Sequence, residues 1–140
     1  MFAKKMGIDH VVNPIQTDAV KVIKSITGDR LAEVVIEASG NASAIRSSID
    51  YVAYAGRIAL VGWPKSEIPM PTAMFTKKEL DIVGSRNSFH AFPESIELIA
   101  QKKVDVAAVI TKTISFAAVP DLIADIAAYP GNHLKVVALL

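Results

Sequence analysis

The chain has 140 residues, of which 51% are hydrophobic and 21% charged, with a formal net charge of +1. That is long and apolar enough for a domain with a core, and it excludes a disordered charged tail. Lys4-Lys5, Lys77-Lys78 and Lys102-Lys103 are isolated pairs with acidic residues nearby, so no basic stripe is available for nucleic acid.

There is no cysteine, which excludes disulfides and thiolate metal sites and makes the cytosol the simplest compartment. No apolar run reaches transmembrane length, so no membrane partner is expected. Residues 1–7 (MFAKKMG) have two lysines but no apolar stretch behind them, unlike a signal peptide.

Asp9 to Asn13 (DHVVN) reads as a short strand ended by Asn13-Pro14. A helix is predicted from about Thr17 to Thr27, with Val20, Ile23 and Ile26 on one face and Gly28 as its stop. Glu33 to Ala38 is the next strand, apolar without alternation, as in a parallel sheet buried on both faces. Asn41 suits the cap of a helix carrying Ile45, Ile49 and Val52, which Gly56 would end. Arg57 to Val61 is another apolar strand, closed by Gly62-Trp63-Pro64.

Residues 65–76 look extended and irregular, with Pro69 and Pro71. Leu80 to Ser85 is a further strand. Pro93 opens a helix with Ile96, Ile99 and Ala100, and Lys102 and Lys103 suit its end. A short β-prone stretch follows, Val109 to Ile114. Pro120 opens a last helix through Leu122, Ile123 and Ile126. Pro130-Gly131 makes a turn before a final strand, Leu134 to Leu140. The alternation of strand and helix is the mark of βαβ crossovers. The fold class expected is α/β: a partial Rossmann parallel sheet of about four main strands, with a C-terminal helix and strand.

Six segments carry a resemblance: AKKMGIDHVVNP (3–14), EVVIEASG (33–40), GRIALVG (56–62), KKELDIVGSRNS (77–88), FPESIELIAQKKVD (92–105) and PGNHLKVVALL (130–140). Their order and spacing resemble the second half of the medium-chain dehydrogenase/reductase family, above all its zinc-dependent polyol, sugar-acid and threonine dehydrogenases. The resemblance implies a Rossmann domain over residues 1–107, with DHVVN as the family's third strand and the next three strands following. It also implies that 108–140 returns to the catalytic domain. The family's first two strands, its glycine-rich turn and its zinc ligands have no counterpart here, and no two of the seven glycines are spaced G-x-G.

The cofactor implied is NAD or NADP. Zinc is implied by the family, with no ligands in this chain and no catalytic residue assigned to it. His10, His90 and His133 share no ligand spacing. The cofactor-binding candidates lie after three successive strands: Ala38, Ser39 and Gly40; Val61, Gly62 and Trp63; Ser85, Arg86 and Asn87. In the family, main-chain groups of the second turn hold the nicotinamide carboxamide. From residues alone, the first turn reads as a tight turn that needs small residues for its own geometry, the second would end a strand in any case, and the third is equally a solvated loop. Arg86 has the charge to reach a pyrophosphate, and Asn87 or Ser88 to reach ribose or substrate. Polyol-specific relatives carry an arginine where this chain has Asn87. Glu37 reads as a polar strand end.

The expected function is that of a fragment of an NAD(P)-linked dehydrogenase acting on a small-molecule secondary alcohol, inactive as an isolated chain. The alternatives are a non-enzymatic remnant or dimerisation module, and a zinc-free quinone or enoyl reductase of the same superfamily. A homodimer or higher homo-oligomer is expected, pairing through the extended segment Glu67 to Met70. Two missing strands would leave a gap of about 14 Å beside DHVVN. The compact solution is for DHVVN to slide across and pair with 33–38, giving a four-stranded sheet. Val136, Val137, Leu139 and Leu140 need a partner other than the catalytic domain.

Overall fold

The computed structural model describes residues 2–140, which form two compact units, one ending at Asn87 and one spanning Ser88–Leu140. The first unit holds α1 (Phe2–Lys5), α2 (Ala19–Thr27), β1 (Ala32–Glu37), α3 (Ala42–Tyr51), β2 (Val52–Leu60), α4 (Thr72–Lys78) and β3 (Asp81–Gly84). Its sheet is parallel, in the order β1-β2-β3. The second unit holds α5 (Phe92–Ala100), β4 (Ile110–Ser115), α6 (Val119–Ala128) and β5 (Lys135–Leu139).

Local chemistry explains the helix ends. The Asp18 carboxylate accepts from the Lys21 N–H to start α2, and left-handed Gly28 stops it by donating its N–H to the Lys24 carbonyl. Asn41 Oδ1 accepts from the Ser43 and Ala44 N–H groups at 2.9 and 3.3 Å and caps α3, as its place in the sequence predicts. Pro93 and Pro120 sit in the first turns of α5 and α6.

The core of the first unit is Ile49, Val52 and Ile58, with Val35, Leu60, Met74, Phe75, Leu80 and Ile82 packed around it. Side chains alternate across a strand, so Val35, Ile58 and Ile82 meet the helices on one face of the sheet. Val34, Ile36 and Val83 point to the other face and are exposed.

Three expectations are corrected, and one open question is answered. Asp9–Asn13 forms no strand, so the sheet has three strands and not the four proposed from the sequence. A strand needs a partner edge, and here local bonds compete for the chain on both sides. The Ile8 N–H donates to the Ala3 carbonyl, and the Asn13 carbonyl accepts from the Gln16 and Thr17 N–H groups.

The helix from Asn41 stops at Tyr51, five residues before Gly56, and β2 begins at once. The β1–β2 register jumps from Ala32↔Val52 to Val34↔Arg57, leaving a bulge in which Ala55 has φ 53°. Gly56 serves that bulge: a Cβ there would stand 2.9 Å from the Ala53 carbonyl oxygen and 3.0 Å from that of Glu33.

Residues 72–78, expected to be irregular, form α4. Finally, the C-terminal strand finds its partner close by. β5 pairs in parallel with β4, and the connection through α6 makes a local βαβ unit. Leu122 of α6 is buried in it, and Val136 and Val137 are half-buried.

Candidate functional site

Ligands of open parallel sheets bind beyond the carboxyl ends of the strands. Three turns leave that end here: Ala38–Asn41 after β1, Val61–Pro64 after β2, and Ser85–Asn87 after β3. The structure brings the first two into contact. The Glu37 carbonyl accepts from the Val61 and Gly62 N–H groups at 2.8 and 2.9 Å. The glycines make the approach possible. A Cβ on Gly62 would collide with Gly40 N and stand 2.5 Å from Glu37 Oε2, and one on Gly40 would stand 2.6 Å from the Trp63 carbonyl oxygen. Gly40 also has φ 68°, which favours glycine. Both glycines are therefore required by turn-on-turn packing.

Glu37 organises this contact with its side chain as well. Its residue is only 5% exposed. Oε1 accepts from the Ser39 N–H at 2.9 Å and from the Ser39 hydroxyl, and the Gly40 N–H donates to both carboxylate oxygens at 3.2 Å. Burial pushes the carboxyl pKa up. The Ser39 hydroxyl, Ser39 N–H and Gly40 N–H bonds outweigh it and hold the group below the ordinary glutamate value. Sequence reasoning reads Glu37 as a polar strand end and gives it no part in the site. The available signal was a carboxylate at the carboxyl end of the strand AEVVIE, two residues before a serine that can donate to it.

The third turn joins through side chains. The Arg86 guanidinium stacks over the Trp63 ring, 3.9 Å from its centroid. The Ser85 N–H donates to the Leu60 carbonyl at 2.9 Å, carrying the β2–β3 ladder one step past the strand. Asn87 has φ 56°, a left-handed bend that turns the chain after Arg86. Among the described residues Asn87 has no hydrogen bond to the other two turns.

A cleft of about 360 Å³ opens beside these turns, lined by Ser39, Gly40, Asn41, Trp63, Lys65 and Ser66 among others. A larger cavity of about 560 Å³ lies between Ile45 and Leu60 on one side and the 62–70 segment on the other. Ala38 faces neither. It lines a separate hollow with Val35, Ala44 and Tyr51.

Comparison with known proteins places this arrangement. Residues 1–101 match the model of a family described as zinc-binding dehydrogenase. The chain belongs to that family. It is 47% identical over 138 residues to an uncharacterised zinc-type alcohol dehydrogenase-like protein of Haemophilus influenzae, covering 99% of this chain and 40% of that one. It is 34% identical over 135 residues to a sorbitol dehydrogenase of Bacillus subtilis, covering 96% and 38%. Among solved structures, an Escherichia coli alcohol dehydrogenase complexed with NADH superposes with a TM-score of 0.89 at 25% identity, over 99% of this chain and 41% of that chain. The chain thus spans about two fifths of the length of these relatives.

Membership confirms the expected family and the partial Rossmann fold class. It also poses the question of zinc. Among the described residues no group of three or more histidine, cysteine, aspartate or glutamate side chains can hold a metal ion. His133 Nε2 lies 3.1 Å from Asp125 Oδ2, with Lys112 Nζ 3.6 Å from the same oxygen, so that carboxylate is already met by side chains of the protein. The residues present do not fit zinc. What the turns do leave is a cleft at the carboxyl end of a parallel sheet, lined by small and polar residues. No helix is long and apolar enough to cross a membrane.

Proposed function

We propose that this chain is the nicotinamide-facing portion of an NAD(P)-linked, zinc-dependent dehydrogenase that oxidises a secondary alcohol of a polyol, sugar acid or hydroxy amino acid. The observation that carries the reading is the convergence of the three turns at the carboxyl ends of β1, β2 and β3. Zinc in such an enzyme supplies Lewis acidity to the alcohol oxygen, and its ligands lie outside the residues described.

This chain's part is to bind and orient. The N–H groups of Val61 and Gly62 are taken by Glu37, so a carboxamide meets their carbonyls and the N–H of Trp63. Ser39 and Gly40 form the wall beside the nicotinamide ribose, and Ala38 lies behind them in a separate hollow. Ser85, Arg86 and Asn87 close the far side, two strands away, with the guanidinium held ready on Trp63 for an anionic group. The relatives named a sorbitol dehydrogenase and an L-threonine 3-dehydrogenase support the alcohol classes.

On its own, the chain is proposed to bind cofactor weakly, at a dissociation constant on the order of millimolar, and to be inactive. The glycine-rich turn that would seat the pyrophosphate on a helix N-terminus is not among its motifs. Titration with NADH, followed by cofactor fluorescence, checks this. Micromolar binding, or turnover with added zinc and polyols, would overturn it. For the parent enzyme, the decisive observation is the DNA upstream of the first codon. A glycine-rich βαβ unit and a zinc-ligand set are expected there, and their absence would refute the fragment reading. Self-association is proposed through Glu67–Met70, which forms no ladder within the chain.

A further inference from the structure

We propose that Glu37 is the positioning residue of this site: its carboxylate fixes the turn after β1 against the turn after β2 and so sets the main-chain groups that face the ligand. The inference rests on the cofactor reading only for what is positioned. The device itself stands on geometry.

Four features converge on this one residue. The Glu37 main-chain carbonyl anchors Val61 and Gly62, while the side chain anchors Ser39 and Gly40. One residue therefore grips both turns, one with each of its acceptor groups. Gly62 leaves room for Oε2: a Cβ there would stand 2.5 Å from that oxygen. The Ser39 hydroxyl donates to Oε1 and accepts from the Asn41 N–H at 3.1 Å. That links the carboxylate to the residue capping α3, whose side chain in turn accepts from Ser43 and Ala44. The carboxylate is thus the start of a chain of bonds that fixes the turn and the entry to the helix.

A buried carboxylate costs stability unless it is fully bonded. Here every named donor comes from the neighbouring turn and none from a lysine or arginine. An anion bonded only by the loop beside it is fitted to hold that loop's shape. A ligand contact would instead leave an oxygen open to the cleft.

The test compares the full 140-residue chain with Glu37→Gln. Glutamine can keep an acceptor at Oε1, but it removes the charge that the Ser39 and Gly40 donors face and puts an NH2 group in place of Oε2, against the Gly40 N–H. Amide hydrogen exchange by NMR is the first readout. Ser39 and Gly40 are expected to exchange about tenfold faster in the variant, with Ile49 and Ile58 within about twofold of their original rates. Equal acceleration everywhere would show plain destabilisation, and unchanged Ser39 and Gly40 would show no latch. Either result overturns the proposal.

The second readout is the shift of the Val61, Gly62 and Trp63 amides on adding millimolar NADH. The original chain is expected to show it and the variant to lose it. Equal shifts in both would also overturn the positioning role. No shift in the original chain would refute the cofactor reading, while the exchange result would still judge the latch.

Discussion

At the scale of single residues, Glu37 gives the site a defined response to acid. Its carboxyl is held below the ordinary glutamate value in the folded chain, because three donors favour the charged form more than burial disfavours it. The unfolded chain protonates near the ordinary value. The bonds therefore contribute stability that is fully present above that value and is lost as pH falls through the lower, folded one. Glu37→Gln removes this dependence. Denaturant midpoints of the two chains are expected to differ most at pH 7 and to converge as pH falls below the ordinary glutamate value and through the lower, folded one. A difference that stays constant over that interval would show that the carboxylate charge is not what the donors hold. The same residue shows the limit of reading sites from sequence. Gly40 and Gly62 were legible as positions needing small residues. That the space beside them is filled by each other's turn, with Glu37 between, depends on the parallel placement of β1 against β2.

At the scale of elements, one helix end is completed from a distance. Lys78, at the end of α4, is only 6% exposed, and its ammonium donates to the Ile49 and Val52 carbonyls at 2.7 Å each. These are carbonyls that the last turn of α3 leaves without helical partners. Burial pulls the Lys78 pKa below the ordinary lysine value, with Asp50 opposing. The positive charge also sits at the favourable end of the helix dipole. Lys78→Met is expected to cost about 1.5–3 kcal/mol in urea unfolding, the range for hydrogen bonds to charged groups. Lys77→Met, at its exposed neighbour, is expected to change stability by less than about 0.5 kcal/mol. Equal effects at the two positions would refute this account. The pair Lys77-Lys78 looks symmetrical in the sequence, and only the helix that carries it separates the two. That helix was itself illegible: Pro71 supplies no side-chain cap, and its stop is Glu79 at φ 55° where a glycine is the usual signal. The well-capped α2 and α3 were legible because their caps are local. DHVVN misled for the opposite reason. Its β-propensity is local, but a strand is made by its partner.

At the scale of the molecule, the sheet of the first unit is one-sided. A parallel sheet normally has helices on both faces. Here α3 packs on β1 and β2, and α4 on β2, with the core beneath them. The opposite face shows Val34 at 57%, Ile36 at 67% and Val83 at 45% exposure. Apolar runs in β1 and β2 led the sequence reading to expect burial on both faces, and the composition of those strands still carries that requirement. An open face of β-branched residues favours a second contact between copies, besides the one proposed at Glu67–Met70. The double change Val34→Thr/Ile36→Thr keeps the β-branched shape and makes that face polar. It is expected to lower the average mass seen by light scattering at a given concentration, with a thermal midpoint close to that of the original chain. Ile58→Ala, two residues before the end of the neighbouring strand but facing the core, is expected to cost about 2–5 kcal/mol. If the double change leaves the mass untouched, association runs elsewhere, and the extended segment Glu67–Met70 becomes the surface to alter. If it unfolds the chain as Ile58→Ala does, the face is not open in solution and the one-sided sheet is wrong.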